Sequence, residues 1–196
     1  MTLCMRLLGS GGRVDSLRIM SGQMNERDFE RAAHAAERLA DRNAFVVDAY
    51  DMTPADIVAD VAAHTEQGRV AVVVVDGLEL LGLTVAEKDA ALLAFRAMSR
   101  RHKCAVVVTL PTNPRDVAQR VNKRPFISDM REVTNLENAS DVIIGLYRDE
   151  MYNLETSEQG IAEFIVLKNK NGPVGRVKAQ FHTAHMRFND LASDDV

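Results

Sequence analysis

The stretch RVAVVVVDGLELL, Arg69–Leu81, decides the reading of the fold. Its six apolar residues, Val70–Val75, run without a break into Asp76 and Gly77. A run so short and β-branched predicts a strand in the middle of a parallel sheet covered on both faces. Ligands of such sheets sit beyond the carboxyl ends of the strands, and Asp76 stands at that end. A carboxylate there holds magnesium, directly or through water, beside nucleotide phosphates. It equally serves only to open a turn with Gly77. The window alone leaves both roles open.

On the amino-terminal side, Thr2–Leu8 reads as a helix, and glycine-rich Gly9–Arg13 as a loop rather than a phosphate-binding loop. None of the six lysines follows a glycine, so the Gly-Lys-Ser/Thr element is missing. Asn25 and Glu26 open a helix whose face is read as Phe29, Ala32, Ala36 and Leu39, with His34 opposite. Phe45–Val47 reads as a short strand. Thr53-Pro-Ala-Asp56 starts a helix, with Thr as the cap and Pro at the first position. Ile57, Val58, Val61 and Thr65 face inward, and Gly68 ends it.

On the carboxyl-terminal side, Ala86, Ala90, Leu93 and Ala97 space out another buried helix face. That helix ends in Arg100-Arg-His-Lys103, cations that suit a helix carboxyl end. Cys104–Leu110 and Asp141–Tyr147 read as further strands. Alternation of strand and helix predicts an α/β fold with a mostly parallel sheet flanked by helices. Residues 161–181 change rhythm. Two arms flank Lys168-Asn-Lys-Asn-Gly-Pro173, the second alternating Val177, Ala179 and Phe181 with polar residues. This predicts an antiparallel β-hairpin turning at Asn171-Gly172, with Lys168 and Lys170 at its tip.

Pro111–Asn138 interrupts the pattern. It carries Arg115, Arg120, Lys123, Arg124 and Arg131 among three prolines. A long segment of this kind is functional or mobile, and its cations suit a phosphate backbone; a solvated charged loop reads the same way. The whole chain has a net charge of −4, so nucleic-acid contact falls to such a local patch. With 46% hydrophobic and 27% charged residues, the 196-residue chain suits one globular domain, residues 1–188, followed by a short acidic tail, 189–196. Cys4 and Cys104 lack metal or redox spacing and read as small apolar residues. Neither a signal peptide nor a membrane span is read, and the expected location is the cytoplasm.

Five pieces, taken in order, carry a resemblance: RVDSLRIMSGQM (Arg13–Met24), VVVVDGLELL (Val72–Leu81), NKRPFISDMRE (Asn122–Glu132), YRDEMY (Tyr147–Tyr152) and KNKNGPVG (Lys168–Gly175). The chain resembles the C-terminal, RecA-like motor domain of DnaB-type replicative DNA helicases. The resemblance implies a ring of such domains around single-stranded DNA, with ATP and Mg2+ held at subunit interfaces. By position, Asp76 resembles the magnesium-positioning acid of the second nucleotide motif. Lys123, Arg124, Arg131 and Glu132 fall in the stretch that meets DNA, and Arg131 and Glu132 resemble its channel-lining loop. Lys168 and Lys170 resemble the basic pair offered in trans to a neighbour's γ-phosphate.

The departures are specific. The family's phosphate loop, GxxxxGK[ST], with its strand, and the carboxylate that activates water have no counterpart in these residues. Leu110-Pro111 replaces a Ser-Gln pair that senses the γ-phosphate, Lys170 replaces arginine, and Thr134 replaces glycine. The expected sheet, without its phosphate-loop strand, has two exposed edges or is rearranged. The expected function is that of a helicase motor domain lacking ATPase activity as this chain alone. The alternative is a non-catalytic module that binds single-stranded DNA or docks on an intact replicative helicase.

Overall fold

A computed structural model describes residues 3–42, 44–68, 70–130 and 132–191. Seven helices and six strands are described: α1 (Leu3–Gly12), α2 (Ser16–Ser21), α3 (Glu26–Ala40), α4 (Pro54–Gln67), β1 (Val72–Val75), α5 (Val85–His102), β2 (Ala105–Val108), α6 (Pro114–Ala118), α7 (Leu136–Ala139), β3 (Val142–Tyr147), β4 (Ile161–Asn169), β5 (Gly175–His182) and β6 (Arg187–Asp190). The three longest helices begin with capping boxes, Asn25/Asp28, Thr53/Asp56 and Thr84/Glu87. Each box satisfies two backbone N–H groups that the first helical turn leaves unpaired. Among the described residues, no helix is long and apolar enough to cross a membrane.

The chain divides into two units. One comprises Asp48–Tyr147 and Ile165–Arg176. Its core joins Ile57 and Val61 of α4, Val75 and Leu78, Ala91, Leu92, Phe95 and Met98 of α5, and Met130, Val133, Leu136, Ala139 and Ile143. β1 and β2 pair in parallel, Val72 opposite Ala105 through Val75 opposite Val108. β3 does not share that ladder; it begins a second sheet ordered β3-β4-β5-β6. The expected single sheet is therefore two.

The expectation of strands covered on both faces needs correction. One face of β1, β2 and β3 enters the core, while the other exposes Val72, Val74, Val107, Val142, Ile144 and Leu146. Val74 is 62% exposed and Ile144 50%. The apolar run is real, but among the described residues only one layer of helices packs on it. Phe45–Val47, expected as a strand, is irregular and exposed. Three apolar residues with no seat in the core do not enforce strand pairing.

α5 also buries a different face from the one expected. Ala86, Ala90, Leu93 and Ala97 are exposed, and Lys88, Ala91, Leu92, Phe95 and Met98 are buried. Larger apolar surface wins over a stripe of alanines, and Lys88 disguises the true stripe.

The other unit comprises Met1–Val47, Arg148–Phe164 and Val177–Val196. The glycine-rich stretch expected as a loop is helical through Gly12. Its glycines serve close packing: a Cβ at Gly12 would stand 2.8 Å from the Arg31 carbonyl oxygen of α3. Arg31 Nε and Arg38 Nη2 donate to the carbonyls of Gly12 and Gly11, at 2.9 and 2.6 Å. α3 consequently turns Asp28 and Ala35 inward, and leaves the expected Phe29 and Ala36 exposed. His34 is exposed as expected.

The hairpin of β4 and β5 forms, and β6 adds an antiparallel strand where the sequence suggests the start of a tail. Phe181 faces Phe188 across it, with ring centroids 4.8 Å apart. Residues 192–196 of the expected tail lie outside the described residues.

Gly145 of β3 meets Pro125: a Cβ there would lie 2.6 Å from the ring Cγ. Gly145→Ala is expected to destabilise the chain by about 1–3 kcal/mol through overpacking. Urea melts check this, with Pro125→Ala in the same chain recovering part of the loss.

Candidate functional site

Asp76 follows β1 at its carboxyl end and is exposed. Its Oδ1 accepts a 2.8 Å hydrogen bond from Thr109 Oγ1, at the matching end of β2. That same hydroxyl oxygen accepts from Gly77 N at 2.7 Å. The turn and the carboxylate are thus held by one side chain, which sequence reading did not single out. The arrangement suits a magnesium ion that keeps most of its waters and takes one carboxylate. Among the described residues there is no group of three or more His, Cys, Asp or Glu able to hold a metal. The sequence has no Gly-Lys-Ser/Thr element, and Pro111, beyond β2, offers no backbone N–H.

The basic segment is more structured than a loop, containing α6, a 3-10 turn at Ile127–Asp129 and α7. Its organiser is Asp129, 2% exposed. Both carboxylate oxygens accept from Arg120, at 2.8 Å each, and Oδ2 also accepts from Phe126 N at 2.7 Å. Arg120 also lies over the Phe126 ring, 4.4 Å from its centroid.

Several expected phosphate-binding cations are engaged within the fold. Lys123 Nζ donates to the Ala118 carbonyl at 2.7 Å, and Arg124 lies 4.7 Å over the ring of buried Tyr147. Arg115 remains exposed. With Pro111, Thr112, Asn113, Pro114, Asp129 and Glu132 it lines a cleft of about 310 Å³. Arg131, the central DNA-contact residue of the sequence reading, lies outside the described residues. Glu132 is half exposed and pairs with Lys88 at 2.5 Å. Lys88 and its neighbour Asp89 were missed; the one available signal was a lysine interrupting the apolar stripe of α5.

The two hairpin lysines are separated rather than jointly displayed at a tip. Lys168 lies within β4, and its ammonium donates to the carbonyls of Glu137 and, at 2.8 Å, Ser140. It satisfies the carboxyl end of α7, where a cation also meets the negative end of the helix dipole. Lys170 is exposed, with its Nζ 3.7 Å from Asp141. Sequence adjacency placed them together; the α7 carbonyls draw Lys168 inward, while Lys170, one residue beyond β4, stays exposed.

The family model for the DnaB-like helicase C terminal domain matches residues 1–190. The chain belongs to the DnaB-like helicase C-terminal domain family. Among its relatives, the replicative DNA helicase DnaB of Haemophilus influenzae is 34% identical over 199 residues, covering 97% of this chain and 42% of that protein. The replicative DNA helicase DnaC of Bacillus subtilis is 29% identical over 195 residues, covering 96% and 43%. The chain therefore spans less than half the length of these curated relatives.

A solved DnaB-like replicative helicase, described with its interactions with primase, superposes with a TM-score of 0.89 at 25% identity, over 97% of this chain and 48% of that one. A second solved structure, an ATPase domain, gives 0.86 at 27%, over 96% and 69%. The RecA-like α/β class expected from the sequence is thereby established for this DnaB-like chain.

Lys168→Met is expected to cost about 1 kcal/mol by leaving two α7 carbonyls without their charged donor. Thermal melts measure it, and Lys170→Met, at an exposed ion pair, is expected to change stability by less than about 0.5 kcal/mol.

Proposed function

We propose that this DnaB-like chain serves in the cytoplasm as part of a replicative helicase motor, holding the backbone of single-stranded DNA on segment 111–138. The observation that carries the reading is the internally braced basic segment. The Arg120–Asp129 pair fixes its path, the Lys88–Glu132 pair offsets its acid, and Arg115 stays exposed beside the cleft. Arg131 belongs to this segment in sequence, and the family resemblance assigns it to the DNA backbone. Assembly is as a ring of like chains or together with an intact replicative helicase. ATP and magnesium belong to the assembled motor: Asp76 would take magnesium, and Lys168 and Lys170 would face a neighbour's γ-phosphate. Alone, the chain has no element that cradles β- and γ-phosphates, and it hydrolyses no ATP.

A second reading, docking on an intact helicase, is favoured by the open apolar face of β1, β2 and β3. A large exposed apolar patch marks an interaction surface. Co-elution with an intact replicative helicase, lost on Val74→Asp and Ile144→Asp, would support it over the first.

The 196-residue chain is expected to bind a fluorescent oligothymidylate with salt-dependent affinity. Arg131→Ala and Arg115→Ala should each weaken binding and lower the slope of log affinity against log salt by about 0.7. Anisotropy titrations at several salt concentrations measure this; affinity unchanged by both substitutions would defeat the DNA reading. Calorimetry with magnesium-ATP is expected to register no binding, with or without DNA, and clear binding would overturn the claim of an empty nucleotide site.

A further inference from the structure

Two consecutive residues of α5, Lys88 and Asp89, reach across to one short stretch of the basic segment. Lys88 stands on the stripe that buries Ala91, Leu92, Phe95 and Met98, and is itself 7% exposed. An ammonium so placed requires a counter-charge, and Glu132 Oε2 supplies it at 2.5 Å. Asp89 Oδ1 accepts from the backbone N–H groups of Thr134 and Asn135, at 3.0 Å each, and Oδ2 accepts from Thr134 Oγ1. The Thr134 hydroxyl, and then the two amides, hold the Asp89 carboxyl below its ordinary range against the opposing effect of burial. On either side of Glu132, Met130 and Val133 are buried in the core.

We propose that Lys88 and Asp89 are positioning residues for single-stranded DNA binding, clamping residues 132–135 and cancelling the Glu132 charge beside the phosphate track. The inference rests on the reading that this segment holds DNA. The clamp has two separable parts. Asp89 acts on geometry, because it receives the backbone of Thr134 and Asn135. Lys88 acts on charge, because a bare Glu132 carboxylate next to Arg131 in sequence would repel the phosphates that Arg131 is proposed to meet. Thr134, which replaces the family's glycine, adds a hydroxyl to the clamp.

The test uses the 196-residue chain, with amide hydrogen exchange at Thr134 and Asn135 and anisotropy with an oligothymidylate. Asp89→Asn is expected to speed exchange at both amides about tenfold and to weaken DNA binding about fivefold. Lys88→Met is expected to weaken binding to a similar degree, and Lys88→Met with Glu132→Gln to restore it to within about twofold. Restoration separates a charge role from mere packing, since the double variant still lacks the lysine. If Lys88→Met fails to fold, Asp89→Asn carries the test alone.

Unchanged exchange in Asp89→Asn would show that no clamp exists. Faster exchange with unchanged affinity, while Arg131→Ala still weakens binding, would overturn positioning but leave the DNA reading intact. A double variant as weak as Lys88→Met would overturn the charge role. No binding by the parent chain would overturn the DNA reading and the positioning role together.

Discussion

A guanidinium–carboxylate pair within the basic segment, its acid buried and its arginine partly exposed, governs the segment's shape. Asp129 is almost wholly buried, and two of its hydrogen bonds come from Arg120. A third comes from the backbone of Phe126, while Asp129's own carbonyl accepts from Asn113 N at 2.9 Å. One residue thus ties the start of α6 to the turn that precedes the proposed DNA-contact stretch. Leaving such a charge buried without its partner costs about 3–5 kcal/mol. That figure far exceeds what exposed pairs of this chain contribute, so the path of the segment follows from this pair rather than from its surface charges.

The pair also changes what the positive charge of the segment means. Composition alone presents five cations between Pro111 and Asn138 as potential phosphate ligands. The fold draws Arg120 inward to Asp129, Lys123 to a carbonyl and Arg124 onto Tyr147. Only cations that stay outward can release counterions from DNA. Under the proposed DNA reading, binding by so few contacts would be modest in one chain and would gain from repetition around the proposed ring, where linked sites act together.

Legibility in the sequence followed the strength of local rules. The helix begun by Thr53-Pro54 was readable because cap, proline and acid act within four residues. β1, β2 and β3 were readable from β-branched runs, and the hairpin from Asn171-Gly172. The inner face of α4 was readable too, with Ile57 and Val61 buried as expected, but those of α3 and α5 were not, because they depend on partners distant in sequence. α5 shows the difficulty: a lysine in its buried stripe becomes intelligible only once Glu132, 44 residues away, is in place. Asp76 was found from its position at a strand end, but Thr109, which orients it, comes from a second strand and has no local signature. The glycines of Gly9–Gly12 signalled a turn by composition and instead allow α3 to approach.

The proposed DNA-contact stretch and the hairpin lysines meet at one junction. After Asn135 the chain makes a single helical turn, α7, whose Leu136 and Ala139 are both buried, and then enters β3. Lys168 donates to the carbonyls of Glu137 and Ser140, and Lys170 donates its backbone N–H to the Asp141 carbonyl with its ammonium near the Asp141 carboxylate. A four-residue helix packed at both ends has little room to deform, and close-packed interiors transmit displacement rather than absorb it. A shift of residues 132–135 would therefore reach Lys168 through α7. For Lys168 to serve a neighbour's phosphate, it must first surrender those two carbonyls. Lys170, exposed and only 3.7 Å from a solvated carboxylate, gives up far less. Of the two lysines, the exposed one is the freer to leave the chain that carries it, and Lys168 is the one whose release would be felt by the proposed DNA-contact stretch.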